Sequence, residues 1–143
     1  MSESFSRSAS AEDLKSLLRS LNQLNIRYFL IGGYALAAHG YQRATTDIDL
    51  LFPADEATGR LVREALLILP DQASREIDPA WFNEAENIRV SDAFVVDLMF
   101  NANGQSYDSL LPFAQIIDFE GVPVQRGAGM ERHLATQRHA QRV

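Results

Sequence analysis

The chain has 143 residues, of which 46% are hydrophobic and 22% charged, with a net charge of −6 and no cysteine. That composition suits one domain with its own core and excludes disulfides and thiolate metal sites, while the acidic balance argues against strong non-specific binding to nucleic acid, which needs a cationic surface. No apolar run approaches the roughly 20 residues that span a membrane, and the polar start MSESFSRSAS lacks the apolar core of a signal peptide, so a cytoplasmic protein is expected.

Residues 1–9 are Ser-rich and expected to be disordered, with 10–143 forming a single domain. Ser10 with Asp13 three residues on predicts a capping-box-like helix start. Leu14, Leu17, Leu18, Leu21 and Leu24 then mark one helical face, ending near Asn25. The stripe fits a helix facing the core; a protein partner or a homodimer is the other use of such a face. Tyr28 to Ile31 is an apolar run of the kind that makes a buried strand. Gly32 and Gly33 interrupt it, Tyr34 to His39 suits a short helix, and Gly40 closes that helix.

A polar connection containing Arg43, Thr45 and Thr46 leads to Asp47-Ile48-Asp49-Leu50, read as a strand. Strand side chains alternate, so Asp47 and Asp49 share one face, roughly 6.5–7 Å apart, and Ile48 and Leu50 take the other. Two carboxylates side by side repel, a cost most readily accepted where a metal neutralises them. A helix is predicted over about Glu56 to Leu69, with Leu61, Val62, Ala65, Leu66 and Leu69 on one face, Gly59 weakening its first turn and Pro70 stopping it. Residues 71–86 read as an irregular loop tacked to the core by Trp81 and Phe82, with an exposed base-stacking pair as the alternative. Asn87 to Val90 predicts a short strand, and Ser91-Asp92 a turn. Phe94 to Phe100 is a strongly apolar strand carrying one charge, Asp97, which is costly there unless paired or metal-bound.

Ala114 to Phe119 and Val122 to Gln125 form a predicted hairpin, with Gly121 in its turn and Pro123 suggesting an edge. Met130 to Arg142 reads as an Arg- and His-rich helix. His133 and His139 on it are poorly spaced for joint ligation, and His39 suits a helix end or the surface. Lys15 is the sole lysine, so no P-loop is present, and Gly32-Gly33 lacks the spacing of a dinucleotide fold. The fold class expected is α/β (α+β): a mixed twisted sheet with helices packed mainly on one face.

An apolar strand, the Gly32-Gly33 pair opening a helix, and Asp47-x-Asp49 on the next strand, with Arg43 and Thr45 between, resemble the signature of the DNA polymerase β-like nucleotidyltransferase superfamily. The fuller stretch GGYALAAHGYQRATTDIDL is similar to small bacterial nucleotidyltransferases paired with toxin–antitoxin systems and to some antibiotic-modifying ones; the likeness extends more weakly from Asn25 to Ala135. It implies an NTP substrate and Mg²⁺ (or Mn²⁺) held by Asp47, Asp49 and Asp97, with Asp97 as, or helping to form, the base for an attacking hydroxyl. It also implies that Gly32 and Gly33 let backbone amides approach the triphosphate. Arg43 would contact phosphate or simply lie on the surface, and Thr45 would orient the carboxylates or favour the strand. Gln137 stands where relatives carry a Lys, a departure that bears on a phosphate or substrate contact. The activity implied is transfer of a nucleoside monophosphate from an NTP to an unidentified hydroxyl acceptor. The alternative is a non-catalytic nucleotide- or partner-binding component of a toxin–antitoxin-like system.

Overall fold

Local capping chemistry sets the first helix. Ser10 accepts the Asp13 amide on its Oγ at 3.1 Å, and the Asp13 carboxylate accepts the Ser10 amide at 2.8 Å. This reciprocal cap, worth about 1 kcal/mol, opens α1 (Ala11–Gln23), and Leu14, Leu17, Leu18 and Leu21 are all buried along it. The computed structural model describes residues 9–31 and 47–127. The expected Gly32-Gly33 turn, the helix after it, Arg43, Thr45 and the C-terminal helix fall outside the described residues.

Four strands make the main sheet: β1 (Phe29–Ile31), β2 (Asp47–Leu51), β3 (Ile88–Ser91) and β4 (Val95–Met99), in the order β1-β2-β4-β3. β2 and β4 run parallel, and the two outer strands pair antiparallel to them. On one face Leu30, Ile48, Leu50, Val96 and Leu98 build the larger core with the α1 leucines. A second helix, α2 (Glu56–Ala65), adds Val62 and Ala65 to it. Asp55 caps α2 by accepting the Thr58 amide at 2.7 Å, and Ser20 Oγ of α1 donates to the Ala65 carbonyl at 2.7 Å, joining the two helices. Ala9, just ahead of α1, is buried against the same core.

The predicted helix to Leu69 is α-helical only to Ala65 and tightens into a 3₁₀ turn over Leu66–Ile68. Pro70 then ends the run: its ring disfavours helical geometry at the preceding residue, and Leu69 is extended at φ −73°, ψ 145°. The Trp81-Phe82 pair also departs from expectation. It lies on a one-turn helix, α3 (Trp81–Glu84), and only one of the two rings is an anchor. Phe82 is fully buried, with ring centroids 6.0 Å from Phe52 and 4.8 Å from Phe100, whereas Trp81 stays exposed.

The opposite sheet face carries a smaller cluster in which Phe29, Ile31, Leu51 and Met99 pack with Ala102 and with Tyr107 and Leu110 of α4 (Tyr107–Leu110). Helices therefore lie mainly on one face, as expected. A separate two-stranded sheet, β5 (Ala114–Phe119) with β6 (Val122–Gly127), is the predicted hairpin. Glu120 and Gly121 form its two-residue turn with φ of 51° and 92°, the paired left-handed conformation of a tight hairpin. Asn22 ties this hairpin to the body: its amide donates to the Pro123 carbonyl at 2.9 Å while its Oδ1 accepts from the Tyr28 hydroxyl at 3.1 Å. Burial pushes the Tyr28 phenol up to about 12. Among the described residues no helix is long and apolar enough to cross a membrane.

Gly59 gives a test of the packing. Helix propensity alone favours alanine there by about 1 kcal/mol. A Cβ at this position, however, would lie 2.7 Å from the Pro79 carbonyl oxygen and 3.0 Å from the Phe82 ring. Overpacking of that kind costs roughly 1–3 kcal/mol, so Gly59→Ala should lower the melting temperature; a rise on thermal denaturation would show that α2 and the Pro79–Phe82 segment are not so closely packed.

Candidate active site

Strand alternation and register together place the acidic residues. In the parallel pairing of β2 with β4, Asp49 is the partner of Asp97. Directly opposed residues of adjacent strands point to the same face, and Asp47 shares that face because it lies two residues before Asp49. Ile48, Leu50, Val96 and Leu98 project into the larger core behind them. On β3, Arg89 is the register partner of Asp97 and so joins the carboxylate face.

The structure thus brings together Asp47, Asp49 and Asp97, three of the residues singled out in the sequence. Asp47 and Asp49 are buried, and the Asp97 carboxyl lies within hydrogen-bonding reach of both. Arg89 bridges the cluster: its Nη2 is 3.2 Å from Asp47 Oδ2 and its Nη1 3.5 Å from Asp97 Oδ1. The side chains of Asp47 and Asp97 are only 6% and 13% exposed, against 50% for Arg89, so the acids form the floor and the guanidinium the solvent side. Burial pushes the Asp97 carboxyl above the usual carboxylate range; Arg89 pulls it down, and the charge of Asp47 pushes it up again. Gly32, Gly33, Arg43 and Thr45 lie outside the described residues.

Carboxylate oxygens are hard donors of the kind Mg²⁺ and Mn²⁺ take, so the donor set fits a divalent cation in chemical type and in shared face. Among the described residues, no group of three or more His, Cys, Asp or Glu side chains is placed so that it could hold a metal ion as it stands. The cluster is instead closed on Arg89.

Two residues carry more than their sequence context suggested. Arg89 sits between Ile88 and Val90 in a short strand, and only alternation hinted that it faces away from the apolar neighbours. Asp92, read as an ordinary turn residue, is 4% exposed and accepts backbone amides from Asp71, Ala73 and Ala93 at 2.7–2.8 Å. It pins the segment after α2 to the β3–β4 turn, and so fixes the strand that carries Arg89.

The raised affinity of Asp97 for its proton has a signed consequence. A carboxyl held above its unfolded value contributes stability that is fully present at low pH and is lost as pH rises through the folded value. Asp97→Asn removes that loss. The variant should therefore gain on the wild type as pH rises from the ordinary carboxylate range upward, and paired thermal melts across that range measure the difference. A variant that instead falls behind over the same interval would mean that Arg89, and not burial, governs Asp97.

No family model matches the chain, and no curated protein shows significant sequence similarity to it. Among solved structures, the fold is similar to that of a provisionally assigned nucleotidyltransferase from Thermotoga maritima, with a TM-score of 0.60 at 13% identity over 91% of this chain and 84% of that one. The chain has a nucleotidyltransferase-like fold, a mixed sheet with helices mainly on one side.

Proposed function

We propose that the chain is a metal-dependent nucleotidyltransferase that moves a nucleoside monophosphate from an NTP to a hydroxyl of a small molecule, a protein or an RNA end: the hydroxyl oxygen bonds to the α-phosphorus, the bond to the β-phosphate breaks, and pyrophosphate leaves. The observation that carries this is the register of Asp49 beside Asp97, with Asp47 on the same face. Three carboxylates gathered on a sheet, of which Asp47 and Asp49 are buried, are an arrangement that repulsion disfavours unless cations neutralise them. The nucleotidyltransferase-like fold and the likeness of the Gly32-to-Leu50 stretch support the same reading.

In this reading Asp47 and Asp49 would hold the Mg²⁺ or Mn²⁺. The bound ions supply electrostatic stabilisation for the charge that develops on the transferring phosphoryl group. Asp97, whose affinity for a proton burial has raised, is suited to take the proton of the attacking hydroxyl. The likeness of the sequence assigns the remaining nucleotide contacts to Gly32, Gly33, Arg43 and Thr45, all outside the described residues. The apolar floor of Ile48, Leu50, Val96 and Leu98 keeps the acids in register.

Incubation with Mg²⁺ and each labelled NTP, candidate acceptors and cell extract tests the reaction. Label should move to an acceptor, and Asp97→Asn should slow transfer by roughly 10²–10⁴-fold, the usual contribution of a positioned base. Metal with a non-hydrolysable NTP should stabilise the wild type by about 2.7 kcal/mol at a hundred-fold excess over Kd, and Asp49→Asn by much less. Stabilisation without transfer would assign the chain to the alternative, a non-catalytic nucleotide- or partner-binding component of a toxin–antitoxin-like system. Equal stabilisation of wild type and Asp49→Asn would remove the carboxylates from the site altogether.

A further inference from the structure

Resting on the metal-site reading above, we propose that Arg89 is the internal counter-cation of the carboxylate cluster: it occupies the acids until a divalent cation displaces it. Its guanidinium spans Asp47 and Asp97, one acid on each of the two parallel central strands. Asp47 is also one of the two acids proposed to hold the metal, and its Oδ2 already faces a cation that is part of the chain. An arginine fork and a divalent ion cannot both sit on the same oxygens, because their charges repel at contact distance. A divalent ion that takes Asp47 Oδ2 therefore requires the guanidinium to leave that oxygen.

Four features make the exchange feasible. Among the described residues β3 is an outer strand of the sheet, with no strand paired to it on the side away from β4. The Arg89 side chain is half exposed, and its head can leave the acids for water without opening the core. The two contacts, at 3.2 and 3.5 Å, are long for charge-assisted hydrogen bonds. The backbone beneath is fixed by Asp92, whose carboxylate holds the β3–β4 turn through three amides, so the exchange needs movement of the side chain alone. Other cations do not offer the same contact among the described residues: Arg27 pairs with Asp55, Arg60 with Glu56, and Lys15 with Glu12 and Glu120.

Arg89 acts in this scheme as a positioning residue: it keeps like charges together while no metal is bound, and it sets how tightly metal binds. The test needs no acceptor and no turnover. Mn²⁺ affinity is measured by calorimetry, and metal-free stability by thermal melting, on wild type, Arg89→Gln and Arg60→Gln. Arg89→Gln should melt lower without metal, because the acids lose their counter-charge. It should also bind Mn²⁺ roughly ten-fold tighter or more, since a like charge next to the ion is gone. Arg60→Gln removes the same charge from the surface of α2 and should leave Mn²⁺ affinity unchanged. If Arg89→Gln does not fold, Arg89→Met, which removes the charge and keeps an unbranched side chain, should bind Mn²⁺ tighter than wild type in its place. Wild-type Mn²⁺ binding that the Arg89 variants leave equal or weaken overturns the exchange and spares the metal site. Equal tightening by Arg60→Gln reduces the effect to net charge and also overturns it. Absence of Mn²⁺ binding in every protein overturns both the exchange and the metal-site reading.

Discussion

The parallel pairing of β2 with β4 places Asp49 beside Asp97 and leaves Asp47 on the same face. The other parts of the site either oppose that juxtaposition or hold it in place. Repulsion among the acids opposes it, and Arg89 relieves part of the repulsion from β3. The register itself is held from behind, where Ile48, Leu50, Val96 and Leu98 fill the larger core. A slip of one residue would turn the acids into that core and the aliphatic side chains toward solvent, so hydrophobic burial on one face enforces an electrostatic cost on the other.

The large elements were legible because their signals are local. Ser10 and Asp13 announce α1 three residues apart, the leucine stripe gives its face, and Asp47-Ile48-Asp49-Leu50 declares its own alternation. The lone charge in Phe94 to Phe100 likewise marked Asp97, and Gly121 marked the hairpin turn. The likeness to nucleotidyltransferases supplied what pattern alone does not, the expectation that Asp97 stands next to the Asp47–Asp49 strand. The placement of Gly32, Gly33, Arg43 and Thr45 was an expectation of the sequence that lies outside the described residues.

What escaped the sequence is non-local. Arg89 gains its meaning only from being two strands away from Asp47 in the sheet, and no spacing within Ile88–Ser91 carries that information. Asp92 resembles any turn aspartate until the segment around Asp71 and Ala73 folds over it. Adjacent residues on a helical turn point about 100° apart, so Phe82 reaches the core while Trp81 does not. Pro70 stops the helical run, but its local effect falls on Leu69, and the change from α to 3₁₀ geometry at Leu66 has no marker in the sequence.

The sequence distances inside the site also order its assembly in time. Arg89 and Asp97 are eight residues apart across the β3–β4 hairpin, whereas Arg89 and Asp47 are separated by forty-two. Short loops close at less entropic cost and faster than long ones, and hairpins form within about 1–10 μs. The hairpin can thus pair Arg89 with Asp97 while β2 is still searching for its parallel neighbour. Asp47 and Asp49 then approach a strand whose charge is already balanced, and the slowest pairing of the sheet meets less repulsion than the finished cluster of acids alone would present.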